Sequence, residues 1–179
     1  MEVCNRVIGF DIDKKSIDLL KRYNINNIYH CDITDSKFCK KIFNLIDDKN
    51  YDYIIFGDII EHLSCPGKSL RNLRMLTLNT NSRIIITTPN VFNYSNLAVY
   101  IHGNEKVNPD HFFWPSRKTM DKLLNTFGFK IIEFKYIHHG DSRILKNNIK
   151  GILGELIFFR IFPHLRGTLF YIVEPKKLL

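Results

Sequence analysis

Short apolar runs alternate along this chain with stretches in which apolar residues recur every three or four positions. The first run is Val7-Ile8-Gly9-Phe10, ending in Asp11-Ile12-Asp13, and the second is Asn27–His30, ending near Asp32. Tyr53–Phe56, Arg83–Thr88, Lys130–Tyr136 and Thr168–Glu174 continue the series. These are buried-type strands, because β-branched and aromatic residues follow one another without polar alternation.

Helical spacing fills most of the intervals. Lys14–Tyr23 places Ile17, Leu19 and Leu20 on one side. Phe38, Ile42, Leu45 and Ile46 form a stripe that Asp35 or Ser36 can cap. Pro66-Gly67 leads into Leu70, Leu73 and Leu76, and Ser116–Phe127 carries Met120, Leu123, Leu124 and Phe127 before Gly128. Ile144–Phe162 also reads as mostly helical. Strand alternating with helix predicts an α/β domain, a sheet covered on both faces, spanning residues 1–179. The Asn- and aromatic-rich stretch at 91–115 breaks the rhythm, holds at most one short helix, and reads as an acceptor-side loop or lid.

Composition narrows the class. At 45% hydrophobic and 25% charged over 179 residues, the chain collapses as an ordinary globular domain and is not disordered. The formal charge is +8, from 26 Lys+Arg against 18 Asp+Glu. The lysines are scattered and not clustered among aromatics, so a solvated surface is expected and no specific nucleic-acid partner. Cys4, Cys31, Cys39 and Cys65 lack CxxC spacing, which with no signal peptide predicts reduced thiols and a cytoplasmic setting. No apolar run reaches the roughly 18 residues of a membrane span. Ile152–Phe162 is broken by Gly154, Glu155 and Arg160; it either covers the sheet or makes peripheral contact with a membrane surface.

In open α/β sheets, ligands bind beyond the carboxyl ends of the strands. The polar residues there are Asp11 and Asp13, Asp32, then Asp58 with Glu61 and His62, and Thr87-Thr88-Pro89-Asn90. An acid in the position of Asp11 can accept both hydroxyls of a ribose diol. Asp32 can receive an exocyclic amine, with Ile12 and Ile33 on the faces of the ring. Asp58, Glu61 and His62 stand at i, i+3 and i+4, so one helical turn would aim all three at one point, as a divalent-ion site requires. The competing reading has Glu61 and His62 capping and orienting the start of a helix. His111 is either an acceptor-side base or a loop histidine packed on Phe112 and Trp114.

The order and spacing of VIGFDID (7–13), CDITD (31–35), YDYIIFGDIIEHL (51–63), RIIITTPN (83–90) and NPDHFFWPSRKTMDKLLNTFGF (108–129) resemble the class I S-adenosylmethionine-dependent methyltransferases. The likeness is to the branch that modifies small molecules and glycans, which includes the quinone O-methyltransferases. RGTLFYIVEPKK (166–177) resembles the family's last, antiparallel strand. The resemblance implies a Rossmann-like, mostly parallel sheet and methyl transfer from S-adenosylmethionine to a small hydroxylated acceptor such as a glycan or quinone. It assigns Asp11 to the ribose hydroxyls of the cofactor and Asp32 with Ile33 to the adenine, whose ring Ile12 also faces. Gly57 and Asp58 fall beside the methionine moiety. His62 and His111 are the catalytic candidates, and Asp58, Glu61 and His62 the candidate metal ligands.

One element of that family is not found in the sequence: a first strand running into a glycine-rich turn. Only Met1–Arg6 precede the likeness to its second strand, and they hold no glycine. The expectation is therefore an N-terminally incomplete domain with weak or no cofactor binding. The alternative to an enzyme is a non-catalytic fragment or interaction module, self-associating or completed by another chain through exposed strand edges. A nicotinamide-dependent dehydrogenase shares the acid after the second strand, but the EHL and DHFFW stretches argue against it.

Overall fold

The computed structural model describes residues 6–45, 51–80, 82–105, 108–137 and 157–176. The short strands β1 (Gly9–Asp11) and β2 (Ile28–His30) are joined by α1 (Lys14–Arg22). Next come α2 (Phe38–Leu45), β3 (Tyr53–Gly57), a single 3₁₀ turn at Ile60–His62, α3 (Pro66–Thr80) and β4 (Arg83–Pro89). The second half holds α4 (Tyr94–Ile101), α5 (Arg117–Thr126), β5 (Phe129–Ile137) and β6 (Thr168–Pro175). Cys4, Ile46 and most of the segment at 144–162 lie outside the described residues.

The fold is the expected Rossmann-like α/β arrangement, but its strands form two sheets. β1 and β2 pair in parallel; β3, β4, β6 and β5 form a second sheet in that order. β3 runs parallel to β4, while β6 is antiparallel to both β4 and β5, so β6 alone is reversed within that sheet. A β-bulge between Ile131 and Glu133 shifts the β5–β6 register.

The local signals explain the boundaries. Asp13 caps α1 by accepting from the Lys15 and Ser16 amides. Asp35 accepts from the Lys37 amide ahead of α2. Ser116 and Thr119 complete a reciprocal capping box at α5. The chain leaves α5 through Gly128 at φ +78°, where a Cβ would stand 2.6 Å from Arg74 Nε.

Two apolar clusters support the two sheets. The larger holds Phe56, Leu70, Leu73, Ile84, Ile86, Met120, Leu124, Phe129, Leu169 and Tyr171. The smaller holds Cys31, Phe38, Cys39, Ile42 and Leu76, and Ile33 and Ile54 pack against both. Two expectations need correction. Leu19 does not share the buried side of α1: it is 52% exposed while Ile17 is buried, because residues two apart lie about 200° from one another round a helix. The cover over the larger sheet is also incomplete at its β3 edge, where Ile55 is 74% exposed.

Candidate functional site

The ends of β1, β2 and β3 converge on a cavity of about 1220 Å³ lying between the two sheets. Asp11, Ile12, Asp32, Ile33, Asp58 and His62 all line it. Gly57, Glu61 and His111 do not belong to its walls. Ile12 is 63% exposed, whereas Ile33 is partly buried between the two clusters.

Each acid is held by its own turn. Asp11 Oδ1 accepts from the Asp13 amide at 2.8 Å, so one carboxylate oxygen is fixed in direction. Asp32 Oδ1 accepts from both the amide and the hydroxyl of Thr34, each at 2.7 Å. Asp58 occupies the left-handed region at φ +49°, which non-glycine residues seldom adopt, and its carboxylate accepts from Thr87 Oγ1 at 3.0 Å. Gly57 lies against the same threonine; a Cβ there would stand 3.2 Å from Thr87 Oγ1. The Asp32–Asp35 turn is in turn tied to α3, where Asn72 Nδ2 donates to Ile33 O and Asp35 O at 2.7 and 2.8 Å.

A second cluster sits beside the cavity. Ligand-type atoms of Glu61, His62 and His111 all lie within 4.8 Å of one another. Asp58 is not part of that group, because the chain turns through positive φ there and the 3₁₀ turn begins only at Ile60. Glu61 and His62 bond across the molecule: Thr88 Oγ1 donates to Glu61 Oε2 at 3.0 Å, and His62 Nδ1 meets the Asp110 carbonyl at 3.0 Å. A carbonyl only accepts, so Nδ1 of His62 donates this bond and Nε2 is the ring's other nitrogen.

The loop that brings His111 here is anchored on Glu61 itself. The amides of Phe112 and Phe113 both donate to Glu61 O, at 2.8 and 3.1 Å. His111 packs edge-on to His62, with ring centroids 4.6 Å apart, and against Trp114 at 4.9 Å. Its Nε2 pairs with the Asn108 amide at 3.1 Å, and its Nδ1 is buried without a partner. Burial raises the Glu61 pKa above the ordinary carboxylate value. Desolvation, helped by the His62 charge, lowers that of His111. Thr88 was placed at a strand end by sequence but given no partner; Asn108 and Asp110 were given no role, because the loop's approach to Glu61 is not encoded in spacing along the chain.

Comparison with known proteins adds the family level. A family model described as a methyltransferase domain matches residues 2–134. A SAM-dependent methyltransferase structure from Archaeoglobus fulgidus is 18% identical, with 93% of this chain and 74% of that one aligned at a TM-score of 0.57. One from Anabaena variabilis is 16% identical, covering 98% and 70% at 0.60. The magnesium protoporphyrin IX methyltransferase of Synechocystis, solved with SAH, is 12% identical, covering 96% and 64% at 0.53. No curated protein matches the chain.

Proposed function

This chain belongs to the methyltransferase-domain family, and on that premise we propose that it transfers the methyl group of S-adenosylmethionine to a small hydroxylated acceptor, a glycan, quinone or similar metabolite. The observation that carries the reading is one cavity holding Asp11, Asp32 and Asp58 at three successive strand ends. Asp11 takes the ribose hydroxyls, and Asp32 the adenine amine with Ile12 and Ile33 on the ring faces. Gly57 and Asp58 border the methionine end.

Methyl transfer is an in-line displacement at the sulfonium carbon, so alignment of acceptor and donor supplies most of the rate. His62 stands at the cavity wall with Nε2 free, and it takes the acceptor's hydroxyl proton. His111 and buried Glu61 hold that ring in place. Alternatively the same three side chains would hold a divalent ion, two imidazoles and a carboxylate being a nitrogen–oxygen donor set, with His62 Nε2 then a ligand in place of a base. Such an ion would polarise the acceptor hydroxyl.

The second reading, a non-catalytic module derived from a methyltransferase, is favoured by the gap between β1 and β3. Calorimetric titration with S-adenosylhomocysteine separates the two. Binding that Asp11→Ala abolishes supports the enzyme; binding that Asp11→Ala leaves unchanged removes Asp11 from the site. No binding at all selects the module.

A further inference from the structure

We infer that α4 and the helical residues 157–161, with Phe162, form one surface that docks on an anionic lipid bilayer. The inference concerns this face alone and stands independently of the methyl-transfer reading. A helix on the outside of a globular protein turns its apolar stripe inwards and its charges outwards. α4 does neither: it carries no charged residue and buries none of its eight. Tyr94, Leu97 and Ile101 stand at i, i+3 and i+7 and so share one side, with Ile101 72% exposed. Tyr100, 69% exposed, extends that side. The second segment has the same character. Phe159 turns inwards and is buried, while Ile157 and Ile161, at i and i+4, share the outer side, the latter 63% exposed.

The two segments make a single surface. The Tyr94 and Phe158 rings meet at 5.4 Å, and Phe158 meets Phe162 at 5.2 Å. Buried Asn90 fixes the junction between them. Its Nδ2 donates to His164 O and Arg166 O, both at 2.9 Å. Its Oδ1 and carbonyl accept from the Phe92 and Asn93 amides, which lead into α4. No helix among the described residues is long and apolar enough to cross a membrane, so a bilayer is met at its surface.

Charge selects the occupant. Residues 91–104 and 157–173 contain no Asp or Glu, and their exposed charge-bearing side chains, His102, Arg160 and His164, are all basic. Apolar residues accompanied by basic ones, with tyrosines among them, suit the bilayer interface. Acyl chains take the apolar groups there, headgroup phosphates take the cations, and the ring hydroxyls stay wet. A second copy fits less well, since it would press two acid-free, basic faces together. The formal charge of +8 on the whole chain favours the same anionic partner.

Co-flotation with lipid vesicles tests this on the 179-residue chain. The probes are vesicles of phosphatidylcholine alone and of an equal mixture of phosphatidylcholine and phosphatidylglycerol. Binding is expected to the mixed vesicles, and Ile101→Glu with Ile161→Glu should weaken it at least about tenfold. Arg160→Gln should weaken it about fivefold, the factor that one cation near an anionic leaflet carries. Lys14→Gln with Lys15→Gln removes the same net charge from exposed positions on α1 and should change it by less than about twofold. Circular dichroism compares each variant's fold with the parent's; if the glutamates disturb it, Ile101→Ser with Ile161→Ser takes their place, with the same loss expected. No binding to the mixed vesicles overturns the inference. So does binding that the Ile101 and Ile161 variants leave unchanged, or that the Lys14 and Lys15 variant weakens as much. Equal binding to phosphatidylcholine alone overturns the choice of an anionic surface. A dimer in sedimentation that the Ile101 and Ile161 variants dissolve, without vesicle binding, assigns the face to a second copy and overturns the inference too.

Discussion

Glu61 shows how one residue in this site carries both stability and chemistry. Its side chain is 1% exposed, and burial raises its pKa, with the Thr88 hydroxyl bond opposing the shift. The folded state therefore binds the proton more tightly than the unfolded chain, and stability falls as pH rises through the ordinary carboxylate value towards the raised one. Glu61→Gln keeps an acceptor for Thr88 and removes the charge. Urea unfolding of this variant should show higher stability than the parent above that window, and a flatter pH profile; an unchanged profile would place the burial cost elsewhere. Acceptor methylation, in contrast, should be lost. Gly128→Ala acts through backbone strain and a side-chain clash: φ +78° and the Arg74 side chain 2.6 Å from the added carbon predict a loss of about 1–2 kcal/mol in the same assay. His111 illustrates what spacing hides. Nothing in its position relative to Glu61 and His62 signals contact, because the contact is made by two backbone bonds onto Glu61 O from a distant loop. Asp58 is the converse: its i, i+3, i+4 relation to Glu61 and His62 suggested one helical turn, but the turn starts two residues later.

At the scale of elements, periodicity located nearly every strand and helix, since most pack an apolar run against one of two clusters, whereas α4 buries no residue. Boundaries moved by one or two residues where a cap outranked the apolar pattern; β1 begins at Gly9, two residues after the apolar run opens. Periodicity does not encode the division into two sheets, because strand pairing is a non-local property. The link between α3 and the Asp32 turn was equally silent. Asn72 is 8% exposed and donates two bonds to Ile33 O and Asp35 O, while its own carbonyl accepts from the Cys39 thiol. Asn72→Ala leaves two carbonyls without their donor, costing about 2–3 kcal/mol. It should also weaken S-adenosylhomocysteine binding, although Asn72 lines no part of the cavity. Calorimetry checks this: loss of stability with unchanged affinity would mean the Asp32 turn holds its shape unaided.

For the molecule as a whole, the division into two sheets implies unequal stability. The β1–β2 pair has three residues per strand and a cluster of five buried side chains, whereas the larger sheet pairs four strands over a dozen. Two-stranded sheets are marginal in water without cover, and here one edge of β1 faces a cavity. The smaller part should therefore open below the global unfolding transition. Natural reporters stand on both sides. Cys31 and Cys39 are buried in the smaller cluster, and burial keeps both thiols above their ordinary pKa. Trp114, the single tryptophan of the chain, lies against His111 in the loop that is anchored on Glu61 O. In increasing urea, thiol labelling at Cys31 and Cys39 should rise at a lower concentration than the change in Trp114 fluorescence, while exposed Cys65 labels throughout. On the proposed placement, a ligand held by Asp11, Asp32 and Asp58 would bridge the two sheets, so S-adenosylhomocysteine should draw the two transitions together. Coincident transitions without ligand would show that Ile33 and Ile54, packed against both clusters, already couple them into one cooperative unit.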